Sequence, residues 1–470
     1  MGKISCFAVV LLTLSAGTAY GQADDLLTVL QLALESDPVL GQAEANYLAN
    51  RENVAQARAN LLPTLGVGGN TTRQTSGPTD SIYNPVVDEE TGEVIRVERI
   101  DDHSFQPGIN SHGWGVNLTQ SIFNLANWYN LESAKATDRA AAVNLAAQEQ
   151  DLIMRVATAY FDVLRANDLL ETRIQEEEAA MRSLDQTRQR EEVGLDTITD
   201  VYDSQAAFDL ARNNTILQQD ILQARYEALE ALTGRSHTRI EALSDEFPIQ
   251  NADGSLVSWQ EQSESNSLAI AAAEYNLEAS QDSLRARRSD HLPTISLSGN
   301  FSHSVTQSIV REGIAIGGGA SDRTSLQLSL NIPLYSGGAL RSRKRAAEYR
   351  VLAAEEGLEL AERQLTQNVR NLYRGVNTDV LVVAQRQQSI QSAESALEAT
   401  ELGFDLGQRN IVEVLRAREN LFRALRDYAD SRYNYVLDTL MLKQAAGLLT
   451  PQDIIDLNEW LEGVAEIDPQ

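Results

Sequence analysis

The chain has 470 residues, with 39 Lys and Arg against 67 Asp and Glu, a formal charge of −28 at pH 7. Such an acidic balance argues against nucleic acid as a partner and against an anionic membrane surface. A lone cysteine, Cys6, rules out an intrachain disulfide framework and thiolate metal sites, so stability must come from packing or assembly.

The chain opens "MGKISCFAVVLLTLSAGTAYGQADD". Lys3, an apolar core from Ile4 to Leu14, and small Ala19 and Gly21 before Gln22 predict a secretory signal over residues 1–21. That core is too short to span a bilayer, and Cys6 lies inside it rather than after the cleavage point, so lipid attachment is not expected. No later stretch holds about 18 uninterrupted apolar residues. A chain of this pattern enters a membrane as strands or not at all.

After the signal, "SDP" at 36–38 supplies an N-cap and a first-turn proline for a helix of about 24 residues to Leu61. "LLPTLGVGGN" at 61–70 opens a strand over about 64–76. The stretch Gly77 to Gln106, rich in Asp, Glu, Pro and Gly without a hydrophobic period, reads as an exposed excursion. Trp114, Val116, Leu118 and Ile122 alternate with polar or small residues in a second strand, about 111–123. From Asn124 to Glu192 there is neither Gly nor Pro, which predicts one helix about 100 Å long. "VGLDTITDVYDSQ" at 193–205 marks a turn into a helix over Thr197 to Thr233.

The same grammar then repeats. "HLPTISLSGN" at 291–300 matches the first strand opening, "PLYS" at 333–336 matches "SIFN" at 121–124, and "LGQRNIVEVLRAR" at 406–418 matches the first turn. The second half predicts a helix over Leu268 to His291, strands over about 294–305 and 324–335, a Gly-rich loop over about Thr306 to Arg323, and helices over Ala339 to Phe404 and Ile411 to Gly447. Val201, Phe208, Thr215, Leu222 and Leu229 recur every seven residues, as do Val414, Leu421, Tyr428, Tyr435 and Leu442, which points to coiled-coil packing. The division is therefore 22–234 and 267–449 as two repeats, with 235–266 and 450–470 outside them.

Four strands of bilayer length cannot close a barrel alone. Two copies supply eight strands and three supply twelve; a conduit favours three, because small barrels are filled by their own side chains.

The sequence resembles the TolC family of outer-membrane efflux and type I secretion channels. The resemblance covers nearly all of the mature chain and rests on "SDP", "LLPTL", "HLPTI", "TQSIFN", "TAYFDVL", "VGLDTITDV", "IPLYSGG", "LGQRNIVEVL", "SRYNY" and "LTPQDIIDLN", in order. It implies an α+β membrane protein, a homotrimeric 12-stranded β-barrel with four strands per chain, continuous with a 12-rod α-helical coiled-coil barrel. It also implies a mixed equatorial belt around 234–266 and the C-terminal tail, and no cofactor. The implied partners are outer-membrane lipid, a periplasmic membrane-fusion adaptor and an inner-membrane RND, ABC or MFS pump.

The turns carry the candidate site. Gly194 and Gly407 end long helices where a positive φ is needed, Thr197 and Asn410 cap the next helices, and Asp200 and Glu413 fall at N3 to complete capping boxes. That local role alone accounts for both acids. The resemblance adds a gate role for Thr199, Asp200, Arg409, Glu413 and Arg432 at the narrow periplasmic end, and adaptor contact for Gly194, Leu195, Gly407 and Gln408. Two positions depart from the family pattern: Arg416 stands in place of an acid and Phe404 in place of a tyrosine. Threefold symmetry would make Glu413 a ring of three carboxylates that selects cations, and Arg416 is expected to pair with Glu413 at i, i+3 and weaken that acidic field.

The histidines at 103, 112, 237, 291 and 303 show no metal-binding spacing, and neither "GIAIGGGA" nor "SGG" sits in a phosphate-cradling context, so no enzyme is expected. The competing reading is a periplasmic coiled-coil adaptor or structural protein. Four lipid-length strands flanked by Trp114, Phe123 and Tyr335 argue against it.

Overall fold

A computed structural model describes residues 23–75, 82–100, 108–311 and 314–466. The signal segment and His103 lie outside the described residues.

The first helix, α1 (Leu26–Ser36), is an addition to the sequence reading, which opened its first helix at "SDP". Leu26, Val29, Leu30 and Ala33 occupy one helical face and are buried, and Asp25 caps the helix by accepting from the Thr28 N–H. Asp37 then breaks the rod and caps α2 (Pro38–Ala59), accepting from the Leu40 N–H at 2.9 Å. Strand β1 (Thr64–Gln74) follows.

Within the excursion predicted over 77–106, β2 (Ile82–Val87) and β3 (Val94–Ile100) pair as a hairpin that the sequence reading did not anticipate. Its turn is an Asx turn in which Asp88 accepts from the N–H groups of Glu90 and Thr91, with Gly92 at φ 71°. Val94, Ile95 and Val97 are all exposed, so no face is selected and no period is written into the sequence.

Beyond β4 (Ile109–Phe123) the chain runs through α3 (Leu125–Glu192) and α4 (Ile198–Thr233) to β5 (Arg239–Leu243), α5 (Leu256–Asn266) and α6 (Leu268–Ser289). Then come β6 (Thr294–Thr306), the short pair β7 (Ile309–Arg311) and β8 (Ile314–Ile316), and β9 (Gly319–Asn331). The predicted 324–335 strand is thus displaced toward the N-terminus. Pro333 has no N–H to give a ladder, while pairing with β6 continues through Thr306 opposite Gly319 into the Gly-rich loop. The chain ends with α7 (Ala339–Asp405), α8 (Ile411–Ala445), α9 (Pro451–Asn458) and β10 (Leu461–Glu466).

These elements form two compact units, each drawing on both sequence repeats. One, residues 48–140 and 274–357, holds an antiparallel sheet in the order β1-β4-β6-β9. Its register aligns the four strands in continuous cross-strand rows. Leu65, Leu118, Gly299 and Leu326 form one row, and Val67, Val116, Phe301 and Thr324 the next. Between them on the opposite face lies the row Gly66, Asn117, Asn300 and Ser325. One face is apolar and exposed, with Leu326 at 75% and Val67 at 74% of full accessibility; the other is polar.

The other unit, residues 23–47, 141–273 and 358–466 among those described, holds the main core. Tyr160, Phe161, Leu164, Leu222, Leu229 and Ile240 are buried there. Of the two heptad series, Thr215, Leu222 and Leu229 and then Val414, Tyr435 and Leu442 are buried. Segment 239–243 and the C-terminal tail meet as the antiparallel pair β5-β10, and the Tyr160 hydroxyl donates to the Glu241 carbonyl at 2.7 Å.

Candidate functional site at the hairpin tips

Helices α3 and α4 make one hairpin and α7 and α8 a second, both within the same compact unit over the stretches that hold the tips. In the first tip, Gly194 adopts φ 76° and the N–H of Leu195 returns to the Arg190 carbonyl at 2.8 Å. In the second, Gly407 adopts φ 69° and the N–H of Gln408 returns to the Gly403 carbonyl at 2.8 Å. Both are left-handed closures of a helix C-terminus, with no atom within 4 Å of a Cβ built on either glycine. Leu195 and Leu406 are exposed at these apices.

The caps then diverge. Thr197 and Asp200 form a full capping box: the Thr197 hydroxyl accepts from the Asp200 N–H, and the Asp200 carboxylate accepts from the Thr197 N–H at 2.8 Å. Thr199 shares a hydroxyl contact with Thr197. Asn410 accepts from the Glu413 N–H at 2.9 Å, but the expected second capping box is incomplete because the Glu413 carboxylate turns to Arg409. Gly403 makes room for that turn, since a Cβ there would fall 2.8 Å from Arg409 Cγ. The predicted Glu413–Arg416 pair is likewise replaced by Arg409–Glu413 at i, i+4.

Arg432 is not brought to the tip. It lies 19 residues beyond Glu413 on α8, about 28 Å along a helix, where it donates to Asp245 at 2.7 Å and to the Ser244 carbonyl at 2.6 Å. An α8 that continues unbroken to Ala445 carries it away from the turn and into contact with the segment after β5.

Beneath the second tip sits a small apolar core of Phe404, Ile411 and Val414, with Leu397 and Leu415 against it. Ile411 is 3% exposed, whereas its counterpart Ile198 in the first tip is 51% exposed. Two residues outside the predicted set are engaged here. Arg190, in the last turn of α3, donates from Nε to Asp196 at 2.9 Å and lays its guanidinium 4.8 Å from the centroid of the Phe404 ring. Arg418 donates to the Ala179 carbonyl at 2.8 Å and to Glu401 at 2.6 Å, joining α8 to both α3 and α7. No motif flags either residue. A charge six positions before its partner across a turn, or pairing across two hairpins, leaves no period to read.

Further along the helices, Tyr433 donates to Asp168 at 2.6 Å; burial pushes the Asp168 carboxyl up to about 6, against the opposing pull of that hydrogen bond. Arg155 grips Asp37 through both terminal nitrogens, at 3.1 and 2.8 Å, and these hydrogen bonds hold the Asp37 carboxyl below its ordinary range. Among the described residues no group of three or more His, Cys, Asp or Glu is placed to hold a metal ion, and no helix is long and apolar enough to cross a membrane.

Comparison with known proteins agrees with this architecture. The sequence profile described as "Outer membrane efflux protein" matches residues 29–235 and 259–448. The outer membrane protein TolC of Vibrio cholerae is 33% identical over 441 residues, covering 94% of each chain. The protease secretion protein PrtF of Dickeya chrysanthemi is 26% identical over 475 residues, 100% of this chain and 97% of its own. Among solved structures, the CmeC outer membrane channel of Campylobacter jejuni shares the fold at a TM-score of 0.73 with 16% identity, covering 93% of this chain and 90% of that one. The outer membrane protein VceC of Vibrio cholerae does so at 0.69 with 20% identity, covering 90% and 96%. With the profile spanning both repeats and the turns between their helices, the chain belongs to the outer membrane efflux protein family.

Proposed function

We propose that three copies of this chain join their sheets edge to edge into a 12-stranded barrel through the outer membrane, and that their helical hairpins form a conduit reaching into the periplasm. As a family member the protein is an outer-membrane exit channel. The observation that carries the assembly is the sheet itself: β1 pairs only with β4 and β9 only with β6, so each leaves one edge unpaired among the described residues, and the apolar face reaches Leu65 and Val67 on one edge strand and Leu326 and Leu328 on the other. In hydrocarbon an unpaired edge costs several kcal/mol per group, so such a sheet demands closure by further copies. The exposed Leu65, Val67, Leu326 and Leu328 then face lipid, and the row of Asn117, Asn300 and Ser325 faces the lumen.

The hairpin tips are the periplasmic entrance in this reading. Thr199, Asp200, Phe404, Arg409, Glu413 and Arg416 shape it, and Arg432 acts from further along α8. Exposed Leu195 and Leu406 beside Gly194, Gly407 and Gln408 offer the apolar contact on which a periplasmic adaptor docks, delivering cargo from an inner-membrane pump of the RND, ABC or MFS class. The family is described as an outer membrane efflux protein, and one relative, PrtF, is a protease secretion protein, which supports export of small molecules and proteins. A transport role accounts for the described residues without any catalytic assignment.

The edge closure is testable with cysteines, because the only native one is Cys6. Val67→Cys in β1 combined with Leu326→Cys in β9, joined by a flexible bis-maleimide in detergent, is expected to give a ladder ending at three chains. A ladder ending at two, or continuing past three, contradicts the trimer.

A further inference from the structure

Among the predicted gate residues, Asp200, Arg409 and Glu413 work within their own hairpins: Asp200 caps α4, and Arg409 and Glu413 pair with each other on the second tip. What crosses from one hairpin to the other is a ladder of contacts from α3. Tyr433 meets Asp168, Arg426 meets Glu176 at 3.4 Å, and Arg418 meets the Ala179 carbonyl. The rung nearest the tips is Arg190 against Phe404, eleven residues beyond Ala179 on α3 and about 16 Å further along it.

Arg190 is placed to hold three things at once. Its carbonyl accepts the Leu195 N–H that closes the first turn. Its Nε binds Asp196, whose side chain is only 8% exposed. Its guanidinium carbon sits over the Phe404 ring, and Phe404 is itself packed on Ile411 and Val414 and so cannot follow if the first hairpin moves away. Asp405, next to Phe404 on α7, adds an attractive charge from the second hairpin. A flat, weakly hydrated cation suits this stacked position and lysine does not. Phe404 in turn offers a ring face with no hydroxyl to compete for the cation.

We propose that Arg190 is the positioning residue that latches the two hairpins of one protomer together at the periplasmic end, with Phe404 as its seat and Asp196 as its anchor. The latch rests on the reading of the tips as a channel entrance, and any widening that spreads the hairpins must lift the guanidinium off the ring. The gate strength of this protein is then set inside each protomer as well as between protomers.

The test compares variants of the full-length protein in planar lipid bilayers. Phe404→Leu keeps an apolar side chain but removes the ring face, and should raise the open fraction roughly twofold to fivefold, the range for a partly exposed cation–ring contact. Phe404→Trp keeps a face and should stay near wild type; Arg190→Met should exceed Phe404→Leu, and Arg190→Lys should fall between. In parallel, spin labels at the exposed positions Val193 and Leu406, carried by a minority of protomers, should report longer and broader distances in Phe404→Leu and Arg190→Met but not in Phe404→Trp. Unchanged distances in those two variants, or equal effects of Leu and Trp at 404, overturn the latch and leave the channel intact. A wild type that forms no channel overturns the proposed function instead, and the distance measurement still decides the latch.

Discussion

The two hairpin tips share a turn and differ in what lies beneath it. Both close on a glycine with positive φ, and both follow it with a polar N-cap and an acid at N3. Yet the second tip buries Ile411 and Val414 under Phe404, while the first leaves Ile198 in solvent and spends its acid on a capping box. A duplicated backbone phrase constrains the turn, and the side chains are then free to specialise. One tip becomes a packed seat and the other a capped end held by Arg190.

That contrast is sharpest in stability. Ile411→Ala should destabilise by about 2–5 kcal/mol, as for other buried aliphatic truncations, while Ile198→Ala should stay within about 0.5 kcal/mol. Thermal unfolding of the two purified variants side by side checks it, and equal losses would break the comparison. The charges come next. Removing Asp196 strands a half-buried Arg190 and should cost on the order of 1–2 kcal/mol, whereas Arg409→Gln breaks an exposed i, i+4 pair and should cost under about 0.5 kcal/mol. By contrast, Gly194→Ala and Gly407→Ala should cost the same, about 1 kcal/mol each, because only φ and no neighbouring atom opposes the new methyl. A large difference between them would mean that the turns are not equivalent after all.

The smallest effects are in pH, and they separate acids away from the tips. Asp168 is raised to about 6 by burial, so the folded state holds its proton more tightly than the unfolded chain. Its burden on stability is absent below about pH 4 and grows as pH rises to about 6. Asp168→Asn should therefore flatten the melting temperature between those values. Asp37, lowered by Arg155, works the other way: its contribution is present above the ordinary carboxylate range and is lost as pH falls through its folded value, and Asp37→Asn should remove that acid-side loss.

Much of this was legible in the sequence where a period or a special backbone angle leaves a mark. The long helices follow from runs without Gly or Pro, the sheet strands from alternation, and the tip glycines from their position after a helix. The hairpin β2-β3 leaves no period because Val94, Ile95 and Val97 are all exposed, and α1 starts at a bare Asp25 cap without the first-turn proline that marks α2. Arg432 was grouped with the tips by resemblance, and an unbroken α8 takes it to Asp245 instead. The pairing of Glu413 with Arg409 rather than Arg416 turned on Gly403, a neighbour on another helix. Arg190 needed three dimensions: nothing in the spacing of 190, 196 and 404 announces that they meet.

Single-channel recording from the purified wild-type protein in planar bilayers tests the central claim most directly. Discrete conductance steps from a species of three chains, low at rest, are the result predicted for a trimeric channel with latched tips. A protein that stays soluble without detergent, runs as a single chain and passes no current would contradict it.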